Sequence, residues 1–322
     1  MAWQQFSRGK HSKIDVSKFE LNLENNLCEL SNLLISGRWR PDIYKEFSVC
    51  DPKLRKIHKA SVRDRVLYQA VYRILYQIFD PSFIFHSYSS RNSKGVYAGI
   101  NSLEKYISKV SKNHTKPCCI LKCDIRKFFD SIDHNILFNF ISKKISDKNL
   151  LSLVKQIICS FEKTQNKGLS LGNVTSQLFS NIYLNALDQH VKHKLKVKNY
   201  VRYCDDFVLV SPSKIFLDVC LEKIKIFCKE ELFLDIHPNK IVFRKALNGI
   251  DFLGYVMLPH RRVLRTKTKN RLLKKLTNLK MLFDDGLVKK EYVEQVVQSY
   301  LGLLSHCKGE EIIQQIERIF WD

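Results

Sequence analysis

The stretch Tyr200-Val201-Arg202-Tyr203-Cys204-Asp205-Asp206-Phe207-Val208-Leu209-Val210 decides how this chain is read. Apolar, β-branched and aromatic residues flank a pair of aspartates, the pattern of a strand, a tight turn and a second strand. Taken alone, the two aspartates have a plain explanation, because Asp side chains hydrogen-bond the backbone of turns. A second acidic strand end changes the balance. Cys119-Ile120-Leu121-Lys122-Cys123-Asp124 is short, apolar and preceded by Pro117, which marks a buried strand. Its last residue is a carboxylate.

Two rigid strand ends bringing Asp124 against Asp205 make a clamp for hard divalent cations, which take oxygen ligands in near-octahedral geometry. Asp206 then serves as a nearby ligand or as electrostatic support. Nucleotidyl transfer needs two such cations about 4 Å apart. One lowers the pKa of the attacking hydroxyl, and the other stabilises the leaving pyrophosphate.

Charge points the same way. The 322 residues carry 54 Lys+Arg against 32 Asp+Glu, a net of +22, more than a solubilising surface needs. The positive charge runs through the whole chain and is not gathered in one amphipathic helix or terminal tract. Nucleic acid is therefore preferred to a membrane as the polyanionic partner. With 45% hydrophobic and 11% aromatic residues the chain folds around a core. Apolar runs such as Ile157-Ile158-Cys159 are too short to span a bilayer, and Met1 to Lys10 lacks a signal-peptide apolar stretch. A cytoplasmic protein without a membrane partner is expected. The ten cysteines include no Cys-x-x-Cys pair, so buried, reduced thiols are expected.

No repeat or Pro/Gly/Ser linker divides the chain, which predicts subdomains of one body. Apolar spacing predicts helices over 15–36, stopping at Gly37, and over 62–79, ending at Asp80-Pro81. Asp133 to Lys144, Val174 to Lys194 and 213–230 also read as helices. Strand pairs are expected within 234–244 and across 250–265, followed by helix to the end. This is an α+β layout.

Asp124-Ile-Arg-Lys-Phe-Phe129, Gly168-Leu-Ser-Leu-Gly-Asn-Val-Thr-Ser-Gln177 and Tyr203-Cys-Asp-Asp206 stand in the order and spacing of reverse transcriptase motifs. Ser87-Tyr-Ser-Ser-Arg-Asn-Ser-Lys-Gly95 upstream and Gly249-Ile-Asp-Phe-Leu-Gly254 downstream extend the match to about residues 40–310. The chain resembles bacterial group II intron-like reverse transcriptases of the small stand-alone kind. The resemblance implies a right-hand polymerase with fingers, palm and thumb. Its expected parts are an N-terminal extension and fingers (1–118), a palm with motif-B helix, catalytic hairpin and primer grip (119–258), and a helical basic thumb (259–322).

The same resemblance implies roles for individual residues. Asp124, Asp205 and Asp206 would bind two Mg2+ ions, with Mn2+ able to substitute, and Lys240 matches a candidate general acid, though a surface lysine is the alternative. Lys53, Arg55 and Arg63 match the fingers segment that grips the triphosphate, where a solvated charged face is equally open. Phe129 matches the aromatic under the incoming sugar that excludes a 2′-hydroxyl; a core ring is the other reading. Leu171 and Gln177 flank the nascent base pair. Arg91 and Lys94 would follow the template or pack the fingers. Residues 259–280 hold nine Lys/Arg and no Asp or Glu. Among them Arg265, Lys267, Arg271 and Lys275 would lie along template–primer phosphates, and the last three repeat at helical i, i+4, i+8 spacing.

Two departures bear on biology. Intron-encoded relatives have Gln-Gly and Ser-Pro where this chain has Leu171-Gly172 and Ser176-Gln177. The Ser-Gln form resembles enzymes of diversity-generating retroelements and stand-alone phage-defence reverse transcriptases. Maturase or endonuclease segments after the thumb are absent from the sequence, so intron mobility is not expected. The partners implied are dNTPs, a structured non-coding RNA template, its cDNA product and, in the retroelement case, a small accessory protein. Copying a dedicated RNA in anti-phage defence is the first expectation, and mutagenic retrotransposition is the alternative. Arg8, Lys10 and Lys13, with Lys192, Lys194, Lys196 and Lys198, are candidates for holding RNA outside the cleft.

Overall fold

The computed structural model describes residues 1–50 and 54–321. Helices α1 (Ala2–Ser7), α2 (Ile14–Leu21) and α3 (Leu23–Ile35) lead into an antiparallel hairpin of β1 (Lys45–Cys50) and β2 (Leu54–Lys59). Next come α4 (Val62–Phe79) and α5 (Val96–Val110). The Ser61 hydroxyl caps α4 by accepting from the Asp64 amide at 3.2 Å, which satisfies one of the orphan N–H groups of a helix start.

The centre is an antiparallel sheet in the order β4-β5-β3-β6, made of β3 (Cys119–Asp124), β4 (Asn199–Tyr203), β5 (Asp206–Ser211) and β6 (Val242–Lys245). Between β3 and β4 run α6 (Phe128–Ser131), α7 (His134–Ser142), α8 (Lys148–Ile158) and α9 (Val174–Gln189); α10 (Lys214–Glu231) follows β5. Strand alternation sorts side chains to two faces. Leu121, Cys123, Tyr200, Phe207 and Leu209 join one core with residues of α4, α7, α9 and α10. Ile120, Val201, Val208 and Val210 join a second core with α5 and the C-terminal region. Fully burying each such side chain contributes about 1.5–3 kcal/mol, so both faces of the sheet are anchored and its turns are held rigid.

A three-stranded sheet follows, β7 (Ile250–Phe252), β8 (Tyr255–Leu258) and β9 (Arg261–Leu264), and then α11 (Thr266–Asp284), α12 (Lys290–Leu304) and α13 (Glu310–Trp321). Among the described residues no helix is long and apolar enough to cross a membrane.

The α+β layout is as expected, with local differences. The helix expected over 15–36 breaks at Asn22, whose φ of −122° and ψ of 40° leave the helical region; Asn is a weak helix former that favours local alternatives. After Gln189 the chain continues to Lys194 as a π turn, closed by Leu195 N–H on the His190 carbonyl at 3.0 Å. Only one strand forms within 234–244. Pro238 has no N–H to give a ladder and opens a single 3-10 turn, Pro238–Lys240, while Ile236 makes an isolated bridge to Ile125. Residues 250–265 form three strands, not two. All ten cysteines are free, but Cys28, Cys50 and Cys159 are exposed, against the expectation of burial.

Candidate active site

The register of the central sheet sets Asp124 directly opposite Asp206 across β3 and β5. Tyr203 pairs with Asp206, so β4 and β5 are joined by a two-residue loop, Cys204-Asp205. Cys204 takes φ +56°, the left-handed conformation that such tight hairpin loops require. The Ile125 amide donates to the Asp205 carbonyl at 3.2 Å, which ties the loop to the end of β3. Three carboxylates thus collect at one end of the sheet, Asp124 and Asp206 on paired strands and Asp205 on a loop held by the Ile125 amide.

Their charge is costly to hold there. Burial pushes the Asp206 carboxyl up to about 7; the Lys122 ammonium, 3.1 Å away, opposes this, and Asp124 and Asp205 add to it. Burial and then the neighbouring Asp124 charge also raise Asp205. Lys240 Nζ donates to Asp124 Oδ1 at 2.6 Å. Among the described residues, no three carboxylate, thiol or imidazole side chains close on a common point. Instead two ammonium groups neutralise two of the three carboxylates. Asp206 Oδ1 is buried with no hydrogen-bond partner, an arrangement that leaves an acceptor uncompensated. An oxygen-only donor set with an orphaned carboxylate oxygen fits a hard divalent cation.

The carboxylates open on a cleft of about 680 Å3 whose lining includes Arg55, Phe129, Leu171, Gln177 and Lys240. Phe129 lies against Phe128, with ring centroids 5.4 Å apart, but only Phe128 is fully buried. The Leu171 carbonyl accepts from the His58 amide of β2 at 3.2 Å. Gly172, at φ +117°, permits that approach, since a Cβ there would stand 3.2 Å from Ile57 Cγ2. A second cavity of about 560 Å3 shares Asp124, Asp206 and Lys240 and adds Arg265, whose guanidinium pairs with Asp251.

Other candidate residues lie elsewhere. Arg63 does not line the cleft; it donates to the Arg40 carbonyl at 2.8 Å and to Asp42 at 2.7 Å. Arg91 is held by Asp80 at 2.6 Å and by the Ile84 and Ser87 carbonyls, which places it in packing. Lys94 donates to the Phe85 carbonyl and sits 3.3 Å from that ring's centroid. Lys267, Arg271 and Lys275 are exposed along a stripe of α11 that adjoins the buried one of Leu272, Leu276 and Leu279. Lys53 lies outside the described residues.

Sequence reading missed Lys122. Strand alternation was its signal, since it stands two residues before Asp124 and therefore on the same face. It also missed the fully buried pair Arg202–Asp188 behind the hairpin, for which the sequence carries no local signal.

Comparison with known proteins agrees with this geometry. Protein YkfC of Escherichia coli K12 is 22% identical over 299 residues, covering 79% of this chain and 78% of that protein. The retron Ec83 reverse transcriptase of Escherichia coli is 24% identical, covering 83% and 89%. The group II intron-encoded protein LtrA of Lactococcus lactis is 23% identical over 72% of this chain, which spans only 49% of its length. Telomerase structures from Candida tropicalis and Candida albicans superpose with TM-scores of 0.55 and 0.52 at 14% and 13% identity, over 92% and 85% of this chain. The chain spans 64% and 57% of those two proteins, and at this identity the likeness is one of fold, the right-hand reverse transcriptase fold. Residues 45–257 match the family described as reverse transcriptase (RNA-dependent DNA polymerase), and the chain belongs to that family.

Proposed function

We propose that this protein copies a dedicated, structured non-coding RNA into cDNA by divalent-cation-dependent nucleotidyl transfer, in defence against phage. The observation that carries the chemistry is the placing of Asp124 opposite Asp206 with Asp205 in the adjoining loop, at the floor of a cleft of about 680 Å3. Two Mg2+ ions, for which Mn2+ can substitute, would be held by these carboxylates and supply Lewis acidity to the attacking and leaving oxygens. Arg55 meets the triphosphate from the β2 side of the cleft, Phe129 underlies the sugar, and Leu171 and Gln177 border the new base pair. Lys240 holds a proton at Nζ within the site and can pass it to the departing pyrophosphate. Lys122 neutralises Asp206 when no cation does. In this reading the central sheet belongs to the palm (119–258), the preceding residues to the fingers (1–118) and α11 to the thumb (259–322), where Lys267, Arg271 and Lys275 follow the duplex backbone.

Primer extension on an RNA template tests the chemistry. Asp205→Ala combined with Asp206→Ala should lower DNA synthesis by at least about a thousandfold, the effect of several kcal/mol of lost charge stabilisation. Folding and RNA binding should persist, because Asp205 lies in the hairpin loop and Asp206 at the first position of β5, outside the hydrophobic core. Extension by the double variant at the parent's rate would sink the assignment. Sequencing of nucleic acid bound to the protein in cells tests the template: one enriched RNA with cDNA to part of it is expected. Loss of phage resistance in cells carrying the double variant tests the defence role.

A mutagenic role in a diversity-generating retroelement is the second reading. It is favoured by the apolar Leu171 at the cleft wall, and an error-rich product in sequenced cDNA would select it.

A further inference from the structure

The end of the central sheet opposite the carboxylates has its own charge pattern. There the four strands begin or end at Cys119, Asn199, Ser211 and Lys245. The register confirms that these ends adjoin, since Cys119 pairs with both Ser211 and Lys245, and Asn199 with Val210. Lys116, Lys196, Lys198, Lys214, Arg244 and Lys245 all lie at or beside these ends, and all are exposed. Lys214 reaches across to the Phe243 ring of β6 at 5.7 Å, and the Ala246 amide donates to the Cys118 carbonyl at 2.8 Å, so the group is drawn together around one rim.

What distinguishes this rim from the general basicity of the chain is the lack of counter-charge. Residues 105–123, 190–204, 207–217 and 236–250, which form and flank it, contain no Asp or Glu. None of the six cations makes an ion pair among the described residues, and these carboxylate-free segments supply no partner for them. A rim of like charges without partners raises the local potential and destabilises the compact state unless a polyanion covers it. Five steps along β5 separate Asp206 from Ser211 at the rim, roughly 17 Å at strand rise. The rim therefore lies at the far end of the sheet from the carboxylates.

We propose that this sheet end is a second RNA-binding face, taking the phosphate backbone of a duplex stem of the same RNA whose unpaired part is copied in the cleft. The proposal rests on the RNA-copying reading above. Exposed lysines on four strand ends spread over about 14 Å suit backbone phosphates, which fix position without reading sequence; duplex RNA is recognised largely in this way. A membrane surface would call for one amphipathic basic helix, and these cations come from four separate segments.

The test uses Lys116→Gln, Lys196→Gln, Lys198→Gln and Lys245→Gln together, in the full chain. The probe is a blunt RNA hairpin of about 16 base pairs, added while a short template–primer saturates the cleft. The parent should bind the hairpin; the quadruple variant should lose at least tenfold in affinity. The slope of log affinity against log salt should shrink by roughly three to four, one phosphate per removed charge. Thermal unfolding and extension of the short template–primer should stay within twofold of the parent. Hairpin affinity and salt slope equal to the parent's would overturn the proposal, as would binding of phosphatidylserine vesicles by this face without hairpin binding. Absence of extension by the parent would instead strike at the polymerase reading, because hairpin binding is scored without any synthesis.

Discussion

Arg202 and Asp188, neither with any exposed surface, face each other through two parallel N–H···O bonds of 2.7 and 2.6 Å. The remaining guanidinium hydrogens go to Asn181 Oδ1 (3.2 Å), Ser87 Oγ (2.9 Å) and the Cys204 carbonyl (3.0 Å), so all five donors are used. Tyr200 Oη donates to the same carboxylate at 2.9 Å. Burial alone would lower the Arg202 pKa, but the Asp188 charge overrides it and raises it. The bond to Cys204 matters beyond stability, because that residue sits at φ +56° in the loop carrying Asp205. Left-handed backbone at a non-glycine costs of order 1–3 kcal/mol and persists only where surroundings impose it.

Removing one partner of such a pair strands the other charge. Arg202→Met should therefore lower unfolding free energy by about 3–5 kcal/mol in urea titrations. DNA synthesis per folded molecule should fall as well, since the Cys204 carbonyl loses its donor and the loop its support. A variant as stable and as active as the parent would show that the network is dispensable. Arg202→Met with Asp188→Leu should recover part of the stability while leaving synthesis impaired.

Phe129 borders the cleft next to a fully buried Phe128. Phe129→Val opens space where the resemblance places the sugar, so discrimination between deoxy- and ribonucleotides should drop. A pocket contact of this kind is worth about 1–3 kcal/mol, or roughly 10–200-fold in the ratio of kcat/KM values. An unchanged ratio would return Phe129 to a packing role.

How much of this was legible before the structure depends on the range of each interaction. β3, α4 and the hairpin around Asp205-Asp206 were readable because period, breakers and caps are local. The single strand at 242–245 was misread because two apolar stretches flanking Pro238 look like a pair, and only the backbone shows that Ile236 makes a lone bridge. Helix α8 was passed over although Asp147 caps it through the Asn149 and Leu150 amides. Side-chain roles were harder. For Arg63 a triphosphate grip and a charged surface face were both open, and for Arg91 template contact and packing of the fingers. Asp42, 21 residues before Arg63, and Asp80, 11 before Arg91, pair with them in the fold. Partnerships at such separations leave no periodic trace in a sequence.

Leu171 also borders the cleft, and its own carbonyl carries the contact to His58. Leu171→Gln leaves that backbone bond in place and sets a polar group beside the nascent base pair. The spectrum of misincorporation in sequenced cDNA should change more than the rate of extension, which should remain within about threefold, or about 0.65 kcal/mol. An error profile identical to the parent's would remove Leu171 from base selection.

The last prediction concerns stability and pH. His86 is packed against Phe85 and Tyr106, with ring centroids 5.0 Å away in each case, and its Nδ1 lies 2.9 Å from the Tyr88 hydroxyl. Burial, with smaller contributions from Lys192 and Lys94, pushes its pKa down to about 4. The folded protein therefore keeps His86 neutral where the unfolded chain, near 6.5, takes up a proton. Between those values the unfolded state binds more protons, so stability rises with pH. The contribution is complete above about 6.5 and is lost as pH falls from there towards 4. The slope cannot exceed about 1.4 kcal/mol per pH unit, the limit for one proton, and partial exposure of the ring reduces it. His86→Gln retains a polar group beside Tyr88 but cannot titrate. Urea unfolding of parent and variant at pH 7 and pH 5 should show the parent losing more stability than the variant. Carboxyl groups common to both proteins, Asp206 included, cancel in that difference. Equal losses would mean that His86 is hydrated in solution and free to take up its proton in the folded state.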